Sequence, residues 1–166
     1  MGRDSPERGV PFETRKVADK EGLMMRLRVL VADDVAPMLG AVTALLQESC
    51  DVVGAVSNGR SALRKSLELE PDVVVLDVSM PVMNGIEVAK ELKRHASKAK
   101  IVFLTGHNDP EILEACLAAG GLGYVLKDLI STDLIAAMNE ALAGRKFVSF
   151  LPARKLNVKS KNLNQR

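Results

Sequence analysis

The amino-acid sequence predicts an α/β protein of (βα)5 type, a doubly wound three-layer sandwich with a parallel sheet between two layers of helices. Two observations carry that prediction. Five short runs rich in Val, Leu and Ile are separated by stretches whose apolar residues recur at spacings of three and four. Residues of the AVILMFWYC class make up 47% of the chain while aromatics make up only 3%, a mix suited to strands buried on both faces. At 166 residues the chain is long enough for one domain with a full core and short for two.

The elements follow in order. Residues 27–32, 52–56, 73–76, 101–104 and 124–126 read as strands, being short, β-branched and bounded by turn residues. Between them, Leu39, Val42 and Leu46, then Ala62, Leu63 and Leu67, then Val88, Ala89 and Leu92, then Ile112, Leu113, Cys116 and Leu117 keep helical spacing, and Leu134, Met138 and Leu142 continue it after the last strand. Asp34, Asn58, Asn84 and Ser131 precede helical patterns as N-cap candidates, Gly120 and Gly144 follow them as C-cap candidates, and Pro37 is tolerated in a first turn. The expected organisation is an N-terminal extension over residues 1–26, a folded unit over 27–145 and a basic tail over 146–166.

Composition excludes several function classes. The apolar runs, such as Val73 to Leu76, fall far below the roughly eighteen residues of a membrane span. The first twenty residues mix both charge signs with Pro and Gly and lack the apolar stretch of a secretory signal, so a cytoplasmic location is expected. Cys50 and Cys116 are isolated from each other and from any CxxC or nearby His, which points to small core residues rather than a zinc site or a disulfide. His95 reads as a solvated residue at a helix end. The formal charge of +2 hides an asymmetry: no Asp or Glu follows Glu140, while Arg145, Lys146, Arg154, Lys155, Lys159, Lys161 and Arg166 do. Such a tail is either a solvated end or a contact for nucleic acid or an acidic partner.

The chemically capable residues collect at the carboxyl ends of the expected strands, where open α/β sheets bind ligands. Asp33 and Asp34 end the first strand, Asp77 the third and Thr105 the fourth, and Lys127 follows the fifth. In a flavodoxin-like sheet of order 2-1-3-4-5, an order carried over from known sheets rather than derived from these residues, the first and third strands are neighbours and their carboxylates converge. Three crowded carboxylates repel, and protonation or a cation must relieve them. Oxygen-only ligands favour Mg2+, with Mn2+ as the alternative. Beside a divalent ion Asp77 can act as a nucleophile on phosphorus and form an acyl phosphate. Lys127 offers a point charge and Thr105 a movable hydrogen bond to a group that arrives and later leaves.

Four blocks, Val31-Ala32-Asp33-Asp34, Asp77-Val78-Ser79-Met80-Pro81-Val82-Met83-Asn84-Gly85, Leu104-Thr105-Gly106 and Gly123-Tyr124-Val125-Leu126-Lys127-Asp128, resemble the signature blocks of response-regulator receiver domains of the CheY-like fold. The resemblance spans residues 27–144, and the Lys127-Asp128 ending is similar to the NarL/LuxR-type branch. It implies a two-component phosphorelay switch with Asp77 as the phosphoacceptor. It further implies Mg2+ held by Asp34 directly, by Asp33 through water, by Asp77 and by the backbone carbonyl of Ser79, with Thr105 and Tyr124 as a switch pair. Ser79 and His107, two residues beyond Asp77 and Thr105, would tune the phosphoryl lifetime. The implied partners are a sensor histidine kinase or phosphotransfer protein and a downstream protein at the face of helix 4, strand 5 and helix 5, with a homodimer as a further expectation. Many receivers carry Lys-Pro where this chain has Lys127-Asp128, at which a cis bond would be costly.

Four alternatives stand beside this reading. Taken singly, Asp34 and Asp77 could be caps and Lys127 an exposed loop residue. NarL/LuxR-type receivers are usually followed by a helix-turn-helix domain, for which the roughly twenty residues after Gly144 are too few, so DNA contact would need the basic tail or a missing domain. A hydrolase of the same layered fold would want an Asp-x-Asp motif, but Ser79 stands two residues after Asp77. A flavin carrier would want a Ser/Thr/Gly-rich phosphate loop after the first strand, and none is present.

Overall fold

The computed structural model of the protein describes residues 17–18 and 24–149. The chain runs β1 (Arg28–Ala32), α1 (Ala36–Gln47), β2 (Asp51–Val56), α2 (Gly59–Leu69), β3 (Val73–Asp77), α3 (Gly85–Arg94), β4 (Lys100–Thr105), α4 (Pro110–Ala118), β5 (Gly123–Leu126), a 3-10 turn (Lys127–Leu129), α5 (Ile130–Leu142) and β6 (Phe147–Val148). The sheet order is β2-β1-β3-β4-β5-β6, and every neighbouring pair is parallel. Apart from it, Val17–Ala18 pairs antiparallel with Met24–Met25.

Alternation along the strands builds two cores. Leu30, Ala32, Val74, Leu76, Phe103, Tyr124 and Leu126 face α2, α3 and α4, where Ala62, Val88, Ala89, Leu92 and Cys116 meet them. Val29, Val31, Val73, Val75, Val102, Leu104 and Val125 face α1 and α5, where Val42, Leu46, Leu134, Ala137, Met138 and Ala141 meet them. Burial on both faces explains why these strands read as unbroken apolar runs. Cys50 and Cys116 are buried and unpaired, and His95 is exposed at the C-cap of α3, as the sequence predicts. No helix among the described residues is long and apolar enough to cross a membrane.

Local chemistry sets several boundaries. Asn58 caps α2 by accepting from the Ser61 amide, and Asn84 forms a reciprocal capping box with Glu87 at the start of α3. Gly120 and Gly144 follow α4 and α5 in the left-handed region, at φ 96° and 75°, as helix terminators do. Two expected caps differ. The N-cap of α1 is Val35, which makes no side-chain bond, so Asp34 is no cap. Ser131 lies inside α5, whose N-cap is Leu129. Asp109, which sequence reasoning passed over, caps α4 by accepting from the Glu111 and Ile112 amides.

The sheet also has one strand more than expected. Phe147–Val148 adds beside β5, with the Phe147 amide donating to the Leu122 carbonyl at 2.8 Å and the Ser149 amide to the Tyr124 carbonyl at 2.8 Å. The order is thus 2-1-3-4-5-6, and the first residues of the expected basic tail belong to the sheet. Arg154, Lys155, Lys159, Lys161 and Arg166 lie outside the described residues.

Candidate functional site: an acidic crevice at the carboxyl edge of the sheet

Parallel strands bring all their carboxyl ends to one edge, and the crevice forms where the chain leaves β1 and β3 on opposite faces. Asp33 directly follows β1, its amide donating to the Val56 carbonyl of β2 at 3.1 Å. Asp77 is the last residue of β3, paired in register with Leu104 of β4. Both carboxylates are buried, with Asp33 fully covered and Asp77 only 3% exposed, whereas Asp34 is exposed. Asp33, Asp34 and Asp77 each present a carboxylate oxygen, all within 4.8 Å of one another.

Lys127 comes to this cluster from the far side of β4. Its ammonium lies 2.9 Å from Asp33 Oδ2 and 3.2 Å from Asp77 Oδ2. The other oxygens are held by backbone: the Val35 amide donates to Asp33 Oδ1 at 2.9 Å and the Ser79 amide to Asp77 Oδ1 at 3.2 Å. Burial, and then the Asp33 charge, push the Asp77 carboxyl up to about 6, although Lys127 and the Ser79 amide pull the other way. Burial disfavours the charged Lys127, but its hydrogen bond to Asp33 and the attraction of Asp77 outweigh that, and its pKa is raised. One ammonium cannot offset three carboxylates. The set is all oxygen, hard and electron-rich, and its charge is incompletely balanced, which fits a divalent cation of the Mg2+ class.

A second group of contacts sits beside the crevice. Thr105 ends β4 and is buried; its hydroxyl donates to the His107 carbonyl at 3.1 Å and accepts from the His107 amide at 3.2 Å. Tyr124 on β5 is wholly buried, and its hydroxyl donates to the same His107 carbonyl at 3.0 Å. Burial raises the phenol's pKa and keeps it protonated. One carbonyl oxygen therefore ties the Thr and the Tyr together through the β4–α4 loop. Sequence reasoning named His107 for its side chain, which is exposed; the structure uses its backbone.

Of the residues singled out from sequence, Asp33, Asp34, Asp77 and Lys127 form one cluster, and Ser79 touches it through its amide. The Thr105 hydroxyl is engaged by its own loop. The Lys127-Asp128 bond is trans and opens a single 3-10 turn. Sequence reasoning missed Ser149, which is 3% exposed and reaches the segment next to Lys127; no local signal in the sequence marks it.

Comparison with known proteins agrees with this geometry. Residues 29–139 match the family model of the response regulator receiver domain. The uncharacterized transcriptional regulatory protein YvfU of Bacillus subtilis (strain 168) is 38% identical over 74% of this chain and 62% of its own length. The nitrate/nitrite response regulator protein NarL of Escherichia coli (strain K12) is 34% identical over 73% of this chain and 57% of its own. The chain thus spans less than two thirds of these relatives. Among solved structures, the signal receiver domain of a NarL response regulator from Mycobacterium tuberculosis is 31% identical with a TM-score of 0.70, over 73% of this chain and 99% of that one. The non-phosphorylated receiver domain of the stress response regulator RcsB from Escherichia coli is 32% identical with a TM-score of 0.68, over 75% and 98%.

Proposed function

The chain belongs to the response regulator receiver family, as a receiver domain of two-component systems of NarL/LuxR type, and from that premise we propose that Asp77 is its phosphoryl acceptor. The supporting observation is the convergence of Asp33, Asp34, Asp77 and Lys127 on one crevice, with Asp77 held at the end of a buried strand. In the proposed step a carboxylate oxygen of Asp77 bonds to the phosphorus of a phosphohistidine or small acyl phosphate. The bond from phosphorus to the donor breaks, its electron pair leaves with the donor, and Asp77 carries an acyl phosphate.

Asp33, Asp34, Asp77 and the Ser79 carbonyl would hold Mg2+, or Mn2+ in its place. When bound, the ion supplies charge compensation for the transferring group. Lys127, freed from one of its two carboxylates, turns its ammonium to a phosphoryl oxygen. The Thr105 hydroxyl exchanges the His107 carbonyl for another phosphoryl oxygen, and Tyr124, which shares that carbonyl, senses the change. The protein is then a switch, phosphorylated and dephosphorylated by its own site, rather than a turnover enzyme.

Intact mass after incubation with acetyl phosphate and Mg2+ tests the proposal. One phosphoryl adduct on the wild type and none on Asp77→Asn is the expected result; an adduct on Asp77→Asn overturns it. Ser79 and His107 would tune the adduct's lifetime from the rim. Timing dephosphorylation of Ser79→Ala and His107→Ala checks this, and unchanged lifetimes in both refute it.

The partners that fit are a sensor histidine kinase or phosphotransfer protein, met in the cytoplasm, and a downstream protein or second copy at the α4–β5–α5 face. A second reading is favoured by the names of the relatives, several of which are transcriptional regulators longer than this chain: the receiver would then govern DNA binding by a further domain or by the basic tail. A gel shift with duplex DNA that weakens with salt and is lost on trimming after Ser149, which leaves β6 in place, would support the tail.

A further inference from the structure

The segment after α5 reaches the site through one buried hydroxyl. Ser149 Oγ accepts from the Leu126 amide at 3.2 Å and donates to Asp133 Oδ2 at 2.6 Å. Leu126 is the residue before Lys127, and Asp133 stands in the first turn of α5. The residues between them, 127–132, are the 3-10 turn that carries the lysine and the first three residues of α5. Both ends of that short segment are therefore fastened to a single side chain that lies outside it.

The chemistry explains why a serine stands there. β6 pairs its backbone with β5 at Leu122 and Tyr124, and the next edge amide, that of Leu126, takes a hydroxyl in place of a carbonyl. An amide left unpaired in that buried place would be costly. A hydroxyl can accept from the amide and donate to a carboxylate at once, so it joins a strand end to a helix start, which a main-chain carbonyl cannot do.

We infer that Ser149 is a positioning residue for Lys127, so that the segment following α5 sets the readiness of the phosphoryl site. The inference rests on the functional reading above. Removing the hydroxyl frees the Leu126 end and the Asp133 end of this segment together, and the ammonium loses its fixed reach to Asp77. The carboxylate cluster of Asp33, Asp34 and Asp77 has no contact with Ser149 among the hydrogen bonds described, and it stays formed. By reciprocity, a phosphoryl group that draws Lys127 away favours one arrangement of residues 147–149.

The test uses the full chain with acetyl phosphate and Mg2+, beside Mg2+ titrations without the donor. Ser149→Ala, which loses both hydrogen bonds, is expected to phosphorylate about fivefold more slowly, with Mg2+ affinity unchanged and faster hydrogen exchange at the Leu126 amide. Ser149→Thr, which keeps the hydroxyl, restores the rate. Asp133→Ala, which leaves β6 in place and frees only the α5 end, slows the reaction about threefold and guards against a Ser149→Ala chain that fails to fold. A wild type that is phosphorylated beside Ser149→Ala and Asp133→Ala at full rate overturns this inference alone. So does Ser149→Ala losing Mg2+ affinity in proportion to its rate, which marks general loosening. A wild type that takes no adduct overturns the functional reading, and this inference with it.

Discussion

A carboxyl group 3.2 Å from an ammonium would ordinarily ionise more easily, yet Asp77 does the reverse. Burial and the neighbouring Asp33 outweigh Lys127, so the proton is held more tightly in the folded protein than in the unfolded chain. The sign of the consequence follows. A carboxyl whose folded pKa is raised favours folding at low pH, and that advantage is lost as pH climbs from about 4 through about 6. A rise from 3.8 to about 6 corresponds to roughly 3 kcal/mol, shared with coupled neighbours. In chelator, Asp77→Asn should therefore be more stable than wild type at pH 7.5, by about 1–3 kcal/mol, and the gap should close by pH 4. Urea melts at several pH values check this; a gap that widens toward acid would contradict it. Mg2+ should narrow the gap at pH 7.5, because it stabilises the ionised wild type.

At the scale of elements, the loop from β3 to α3 frames the site by close backbone approach. A Cβ at Gly85 would collide with the Asp77 carbonyl oxygen, and the Gly85 amide donates to the Val78 carbonyl at 3.0 Å. Neither group can yield without moving the acceptor strand's end. Gly85→Ala should destabilise by about 1–3 kcal/mol and slow phosphorylation of Asp77, whereas Gly40→Ala, whose Cβ meets nothing within 4 Å, should do neither. Thermal melts and intact mass read both. The same loop shows what was legible beforehand. Asp77 is readable in sequence because a buried strand and its terminal carboxylate leave residue-level marks. β6 is not, because two residues are too short for a period-2 pattern and the surrounding positive charge reads as a solvated tail. Asp34 misleads for a related reason: an acidic residue before a helix suits a cap and a cation site equally, and only the placement of Val35 at the cap separates them. Contacts such as Ser149 with Leu126 and Asp133 join distant stretches and leave no local mark at all.

For the whole molecule, the parallel sheet divides the interior into two cores and leaves every strand's carboxyl end on one edge. That is why residues 33, 34, 77 and 127, scattered in sequence, meet in one crevice, and why the reading of strand order mattered more than any single motif. The added strand lies against β5, next to Tyr124 and just before Lys127, so the end of the described chain borders the residues proposed as the switch. Tyr124 brings a practical benefit as well. It is the single tyrosine of a chain without tryptophan, and its ring is wholly enclosed. Near-ultraviolet emission from this protein thus originates at one known point in its interior, and no dye is needed to watch it. Adding acetyl phosphate and Mg2+ should shift that glow in the wild type, leave it flat in Asp77→Asn, and report the motion in real time.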